Sequence, residues 1–154
     1  MLFTNKSRQI SRRVSQHTGG LIKSRVRGKV PRKMSSTKWG YHLTLDCMEG
    51  DKEKIGDRYN IRRFVKQLVK DIDMIPYGEP WIKRFATHDP IKGGYSLCQM
   101  IQTSNITGHF VDHNGNFYID VFSCKPFDCS TVVQLVETYF QPLEIKQHFT
   151  YRNA

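Results

Sequence analysis

Three side chains of this sequence could do covalent or acid–base chemistry within one short region. They are Ser104, His109 five residues on, and Cys124 at the end of an apolar stretch. A serine hydroxyl becomes a nucleophile when a base takes its proton, and a neutral imidazole is such a base. A thiol adds an acid–base group whose pKa its surroundings can tune. Each also has a plainer reading: Ser104 as a turn residue, His109 as a half-buried core histidine, Cys124 as a small buried hydrophobe. A metal site is not expected. His109 and His113, four apart, would share one face of a helix, but here they straddle a strand end and a hairpin turn. Cys124 and Cys129 do not complete a ligand set. Lys92-Gly93-Gly94 lacks the other glycines and the Lys-Ser/Thr pair of a phosphate loop, and reads as a turn.

The elements that must position these groups follow from pattern. Tyr41 to Cys47 is short and β-favouring, a first strand, and Asp51 to Gly56 reads as a polar loop. Ile61, Phe64, Val65, Leu68, Val69 and Ile72 form one helical stripe, with Asn60 as its cap. Trp81 to Ala86 is a second strand, and Tyr95 to Ile101 a third that Ile106 to Val111 continues or follows as a fourth. Asn114-Gly115 is a hairpin turn, and Asn116 to Phe122 the returning strand. A second helix runs from about Ser130 to Phe140 until Pro142 stops it, and Leu143 to Tyr151 is a last strand. The expected fold is α+β: a two-layer sandwich of one mainly antiparallel sheet with two helices on one face. Its other face is left for self-association.

Charge divides the chain in two. It carries 24 Lys+Arg against 14 Asp+Glu, a formal net charge of +10. Eleven of those basic residues and no acid lie in residues 1–38, so the rest is close to neutral, at −1. Residues 1–36 are therefore expected to be a basic, flexible extension and residues 37–154 the domain. The extension fits a non-essential segment, with Met34 as the functional start. It also fits a mitochondrial-type presequence, rich in Arg and Ser, or a tether for nucleic-acid phosphates through residues 1–38. The 38% of hydrophobic residues can bury a core, which excludes a wholly disordered protein. No apolar run approaches the roughly 18 residues of a membrane span, and no secretory signal is expected. Four cysteines without a CxxC pair suit a reducing compartment, and the cytoplasm is expected.

From Gly40 to about Tyr151 the chain resembles the short, prokaryotic and phage type of S-adenosylmethionine decarboxylase. That family opens on a Gly-x-His-Leu strand, matched by Gly40-Tyr41-His42-Leu43. Its four functional positions fall in register on Ser96, Ser104, His109 and Cys124, the last within Asp120-Val121-Phe122-Ser123-Cys124. Thr103-Ser104-Asn105 stands where the family has Glu-Ser-His, and Phe110-Val111-Asp112-His113 where it has Trp-Pro-Glu.

The resemblance implies a self-cleaving enzyme with a pyruvoyl group made from Ser104 and no metal. Ser104 would attack the Thr103 carbonyl, His109 would remove the Ser104 Cα proton, and Ser96 would hydrogen-bond the ester oxygen. His109 and Ser96 are expected to return to Ser104 from the same and the adjoining strand. The pyruvoyl carbonyl would take the amine of S-adenosylmethionine as a Schiff base, and Cys124 would return the proton after CO₂ leaves. Phe85 matches the adenine-stacking position and Asp112 the nucleoside-holding acid. A homodimer of processed protomers and a place in spermidine biosynthesis are implied as well. The alternatives are a pyruvoyl decarboxylase of arginine or ornithine, and a catalytically silent homologue that binds through its basic arm.

Overall fold

The computed structural model describes residues 23–31, 34, 35 and 37–153. Ten elements follow one another: β1 (Arg25–Arg27), β2 (Gly40–Met48), α1 (Lys52–Ile55), α2 (Arg58–Asp71), β3 (Pro76–Phe85), β4 (Gly94–Ile101), β5 (Ser104–Val111), β6 (Phe117–Ser123), α3 (Cys129–Phe140) and β7 (Glu144–Arg152). The seven strands form one sheet in the order β1-β7-β2-β6-β5-β4-β3. Every described pairing is antiparallel except β1 with β7. The α+β sandwich holds.

Period-two alternation sets which face is buried. Leu43 and Leu45 of β2, Ile106 of β5, and Ile119 and Val121 of β6 point under the helices and are fully buried. Ile61, Phe64, Val65 and Leu68 of α2 and Val132, Val136 and Phe140 of α3 meet them. Each such side chain stabilises the fold by about 1.5–3 kcal/mol relative to exposure. Among the described residues no helix covers the opposite face, which is ordered in rows. Lys83, Ser96, His109, Tyr118, Asp46 and Lys146 form one row across β3-β4-β5-β6-β2-β7.

Several elements depart from the sequence reading. Asp51 to Gly56 is not a plain loop, because Asp51 caps a one-turn helix by accepting from the Glu53 and Lys54 amides while Ile55 is buried beneath it. Asn60 is not the cap of α2. Asp57 takes that role at the Tyr59 amide, and Asn60 lies inside the helix, donating to the Lys54 and Tyr139 carbonyls. The second strand begins at Pro76 rather than Trp81, with a register shift between Tyr77 and Trp81. Its two prolines are tolerated because β3 is an edge strand. Ile106–Val111 belongs to a separate fourth strand that starts at Ser104, joined to β4 by Gln102 and Thr103. Arg25–Arg27, within the basic segment, pairs with Glu144–Lys146 of β7.

Candidate active site

Ser96 and His109 are direct cross-strand partners on the uncovered face, and Ser96 Oγ lies 3.1 Å from His109 Nδ1. Register alone brings them together. In the tautomer whose Nδ1–H donates to the serine, Nε2 is free to accept a proton; in either tautomer the hydroxyl fixes the ring's orientation. Phe85, at the end of β3, packs edge-on to the imidazole with ring centroids 5.0 Å apart. Lys83 is the other cross-strand neighbour of Ser96.

A second group gathers at the opposite end of the same strands. Gln102 and Thr103 turn the chain from β4 to β5, and Ser104 opens β5 opposite Ser123 of β6. The Cys124 amide donates to the Thr103 carbonyl at 3.0 Å. Ser104 has φ +153°, a conformation L residues rarely adopt, so the peptide next to this turn is under backbone strain. The Cys124 side chain is exposed just past the end of β6.

The two groups do not meet within one chain. His109 lies five residues beyond Ser104 on one extended strand, about 16 Å along it. Ser96 is equally far from the Ile101–Ser104 pair. The expectation that both return to Ser104 is therefore corrected: a straight hairpin carries them away from its own turn.

Asp112 lies past the end of β5, its carboxylate bound by Arg84 of β3, whose guanidinium also covers the Tyr95 ring. Its other oxygen, Oδ1, is buried without a hydrogen-bond partner. The sequence reading missed Ser123, a fully buried serine whose hydroxyl donates to Thr103 Oγ1 at 3.0 Å. The signal was there: Phe117, Ile119, Val121 and Ser123 share the inward side of β6, and only the last is polar. A cavity of about 500 Å³ lies elsewhere, between α2 and β3, lined in part by Lys66, Lys70, Glu79 and Gln99. Among the described residues no group of three or more His, Cys, Asp or Glu side chains is arranged to hold a metal ion. None of their helices is long and apolar enough to cross a membrane.

The family model of S-adenosylmethionine decarboxylase matches residues 41–153. The chain belongs to the S-adenosylmethionine decarboxylase family. The match spans all the strands from β2 to β7 and both groups just described. Among solved structures, the adenosylmethionine decarboxylase from Aquifex aeolicus shares the fold, with a TM-score of 0.63 and 21% identity over 76% of this chain and 92% of that one. Among curated proteins none matches. Family membership makes this chain an enzyme that decarboxylates S-adenosylmethionine. The silent-homologue and amino-acid decarboxylase alternatives are not favoured.

Proposed function

We propose that this decarboxylase cuts its own chain between Thr103 and Ser104, turns Ser104 into a pyruvoyl group, and works as a homodimer in which each site draws on both copies. The observation that carries the reading is the Thr103–Ser104 junction. Its carbonyl already accepts a hydrogen bond from the Cys124 amide, while Ser104 carries the strained φ. Polarising the carbonyl and straining the serine both favour attack of Ser104 Oγ on the Thr103 carbonyl carbon. In that step the C–N bond breaks and the hydroxyl proton ends on the Ser104 nitrogen, leaving an ester. A base then takes the Ser104 Cα proton, the Thr103 carboxylate departs, and hydrolysis of the resulting dehydroalanine releases ammonia and leaves the keto group.

His109 suits that base, but its own Ser104 is about 16 Å away. A second copy resolves the distance. Two sheets stacked by their uncovered faces, related by a two-fold axis running across the strands, set the His109 end of one against the Ser104 end of the other. That face carries Trp81, Met100 and Tyr118, all exposed in the single chain, and stacking would remove them from water.

The residues present fit a pyruvoyl group at position 104, since that position adjoins a thiol and a backbone donor. Such a group supplies a ketone that takes up the substrate amine and accepts the electrons left when CO₂ departs. Cys124 delivers a proton to the substrate Cα. The Phe85 ring offers a face to the adenine or the sulfonium cation, and Asp112 Oδ1 is an acceptor for a substrate hydroxyl. The product is the aminopropyl donor of polyamine (spermidine) synthesis.

The test is the state of the purified chain under denaturing conditions. It is expected to separate into residues 1–103 and 104–154, the second blocked to N-terminal sequencing and reactive toward carbonyl reagents. Ser104→Ala stays whole, and His109→Ala stops at the ester, which hydroxylamine splits. A wild-type chain that remains whole and carries no carbonyl overturns the proposal.

A further inference from the structure

Thr103 is anchored twice, once through its carbonyl and once through its side chain. The Lys125 amide donates to Ser123 Oγ at 2.9 Å, Ser123 Oγ donates to Thr103 Oγ1 at 3.0 Å, and Thr103 Oγ1 donates to Met74 Sδ at 3.2 Å. Each hydroxyl in this relay accepts once and donates once, so the directions are consistent from end to end. The relay ends inside the protein, with Ser123 fully buried and Met74 nearly so. The Cys124 amide on the Thr103 carbonyl, 3.0 Å away, ties the same residue to the same end of β6.

From this we infer that the Ser123 and Thr103 hydroxyls are positioning groups for self-cleavage, an inference that rests on the proposed Thr103–Ser104 cut. The N→O shift moves the Thr103 acyl carbon from nitrogen to oxygen, with the serine proton passing to nitrogen and no atom lost. The acyl half must stay still while Ser104 rotates its hydroxyl onto it. Two hydrogen bonds, from Ser123 at the end of β6 and from Cys124 just past it, fix residue 103, and the positive φ falls on residue 104. A threonine before the cut is thus not a passive replacement for an acid. Its hydroxyl completes a relay that a carboxylate could enter only as an acceptor.

The experiment follows cleavage over time in wild type, Thr103→Val, Ser123→Ala, the double variant, Thr103→Ser and Ser123→Thr, all as full chains with melting temperatures recorded. Thr103→Val keeps the side-chain shape and removes only the hydroxyl. It and Ser123→Ala are expected to slow cleavage by about tenfold to a hundredfold. The double variant should be no slower than the worse single, because both break one relay. Thr103→Ser and Ser123→Thr should restore the rate. Hydroxylamine should release no fragment from the slow variants, since they stall before the ester, whereas His109→Ala stalls after it. If wild type cleaves and folded Thr103→Val cleaves at the same rate, the inference is overturned and self-cleavage stands. A wild-type chain that stays whole overturns the proposed function itself, and the inference with it. Should Ser123→Ala fail to fold, Thr103→Val alone decides.

Discussion

Cys124 and Cys129 lie five residues apart and live in different chemical worlds. Burial, with Asp128 adding to it, pushes the Cys129 thiol up to about 12, so it remains a neutral packing group. Cys47 is pushed higher still by burial, Asp46 adding to it. Cys124 is exposed and adjoins the Thr103–Ser104 junction through its own amide. Cys124→Ala is therefore expected to fold and melt like wild type, with decarboxylation falling about 10²–10⁴-fold. Turnover of S-adenosylmethionine at the wild-type rate by that variant would remove the thiol from the mechanism. Ser96, Ser104, His109 and Cys124 could be singled out as candidates in the sequence because their types and spacing are visible without any knowledge of geometry. Their grouping was not, since five residues along a strand look close in sequence and are about 16 Å apart in space. Ser123 stayed hidden because an inward serine at a strand end looks like any strand-terminating polar residue.

The helices and central strands were readable because long, strongly periodic segments report their buried face directly. The short elements were not. α1 is a single turn made by one cap and one buried isoleucine, and β1 is three residues whose pairing comes from β7 rather than from their own sequence. Caps are where local sequence acts most directly, and Asp128 shows this at the start of α3. It accepts from the Ser130 hydroxyl and amide, which with smaller help from Thr131 hold its carboxyl below the usual carboxylate range. A depressed folded pKa adds stability above the unfolded value of about 3.9, and that stability is lost as pH falls through the folded one. Asp128→Ala should cost about 1 kcal/mol at neutral pH and nearly nothing once the wild-type carboxyl is protonated. Equal destabilisation at both pH values, by denaturant titration, would remove the charge from the cap's contribution. For β1 the expectation differs. Ser24 and Arg25 bond the α3–β7 connection, and Gly28 adopts φ +109° where a Cβ would strike the Gln147 carbonyl. A chain beginning at Met34 should keep its decarboxylation rate at room temperature, since no candidate site residue is lost. It should melt a few degrees lower because β7 loses its edge partner. Unchanged melting would make β1 a bystander.

At the scale of the whole molecule, one sheet has a helix-covered face that folds it and, among the described residues, a bare face that carries the Ser96–His109 pair. The element order alone leaves that bare face open, and self-association across it belongs to the proposal. What the sequence could not show is that Ser104 and His109 sit at opposite ends of the same strand; on the proposed mechanism neither end reacts by itself. The central claim is that two copies complete each other, and mixing two inactive variants tests it most directly. His109→Ala lacks the proposed base, and Cys124→Ala lacks the proposed proton donor. Co-expressed as a mixed population, they form some dimers in which the intact Ser104–Cys124 end of the first copy faces the intact Ser96–His109 pair of the second. One good site in each mixed dimer predicts recovery of about a quarter of wild-type activity, with cleavage of the His109→Ala chain in trans. Activity no higher than that of either variant alone, from dimers shown to be mixed, would contradict the account.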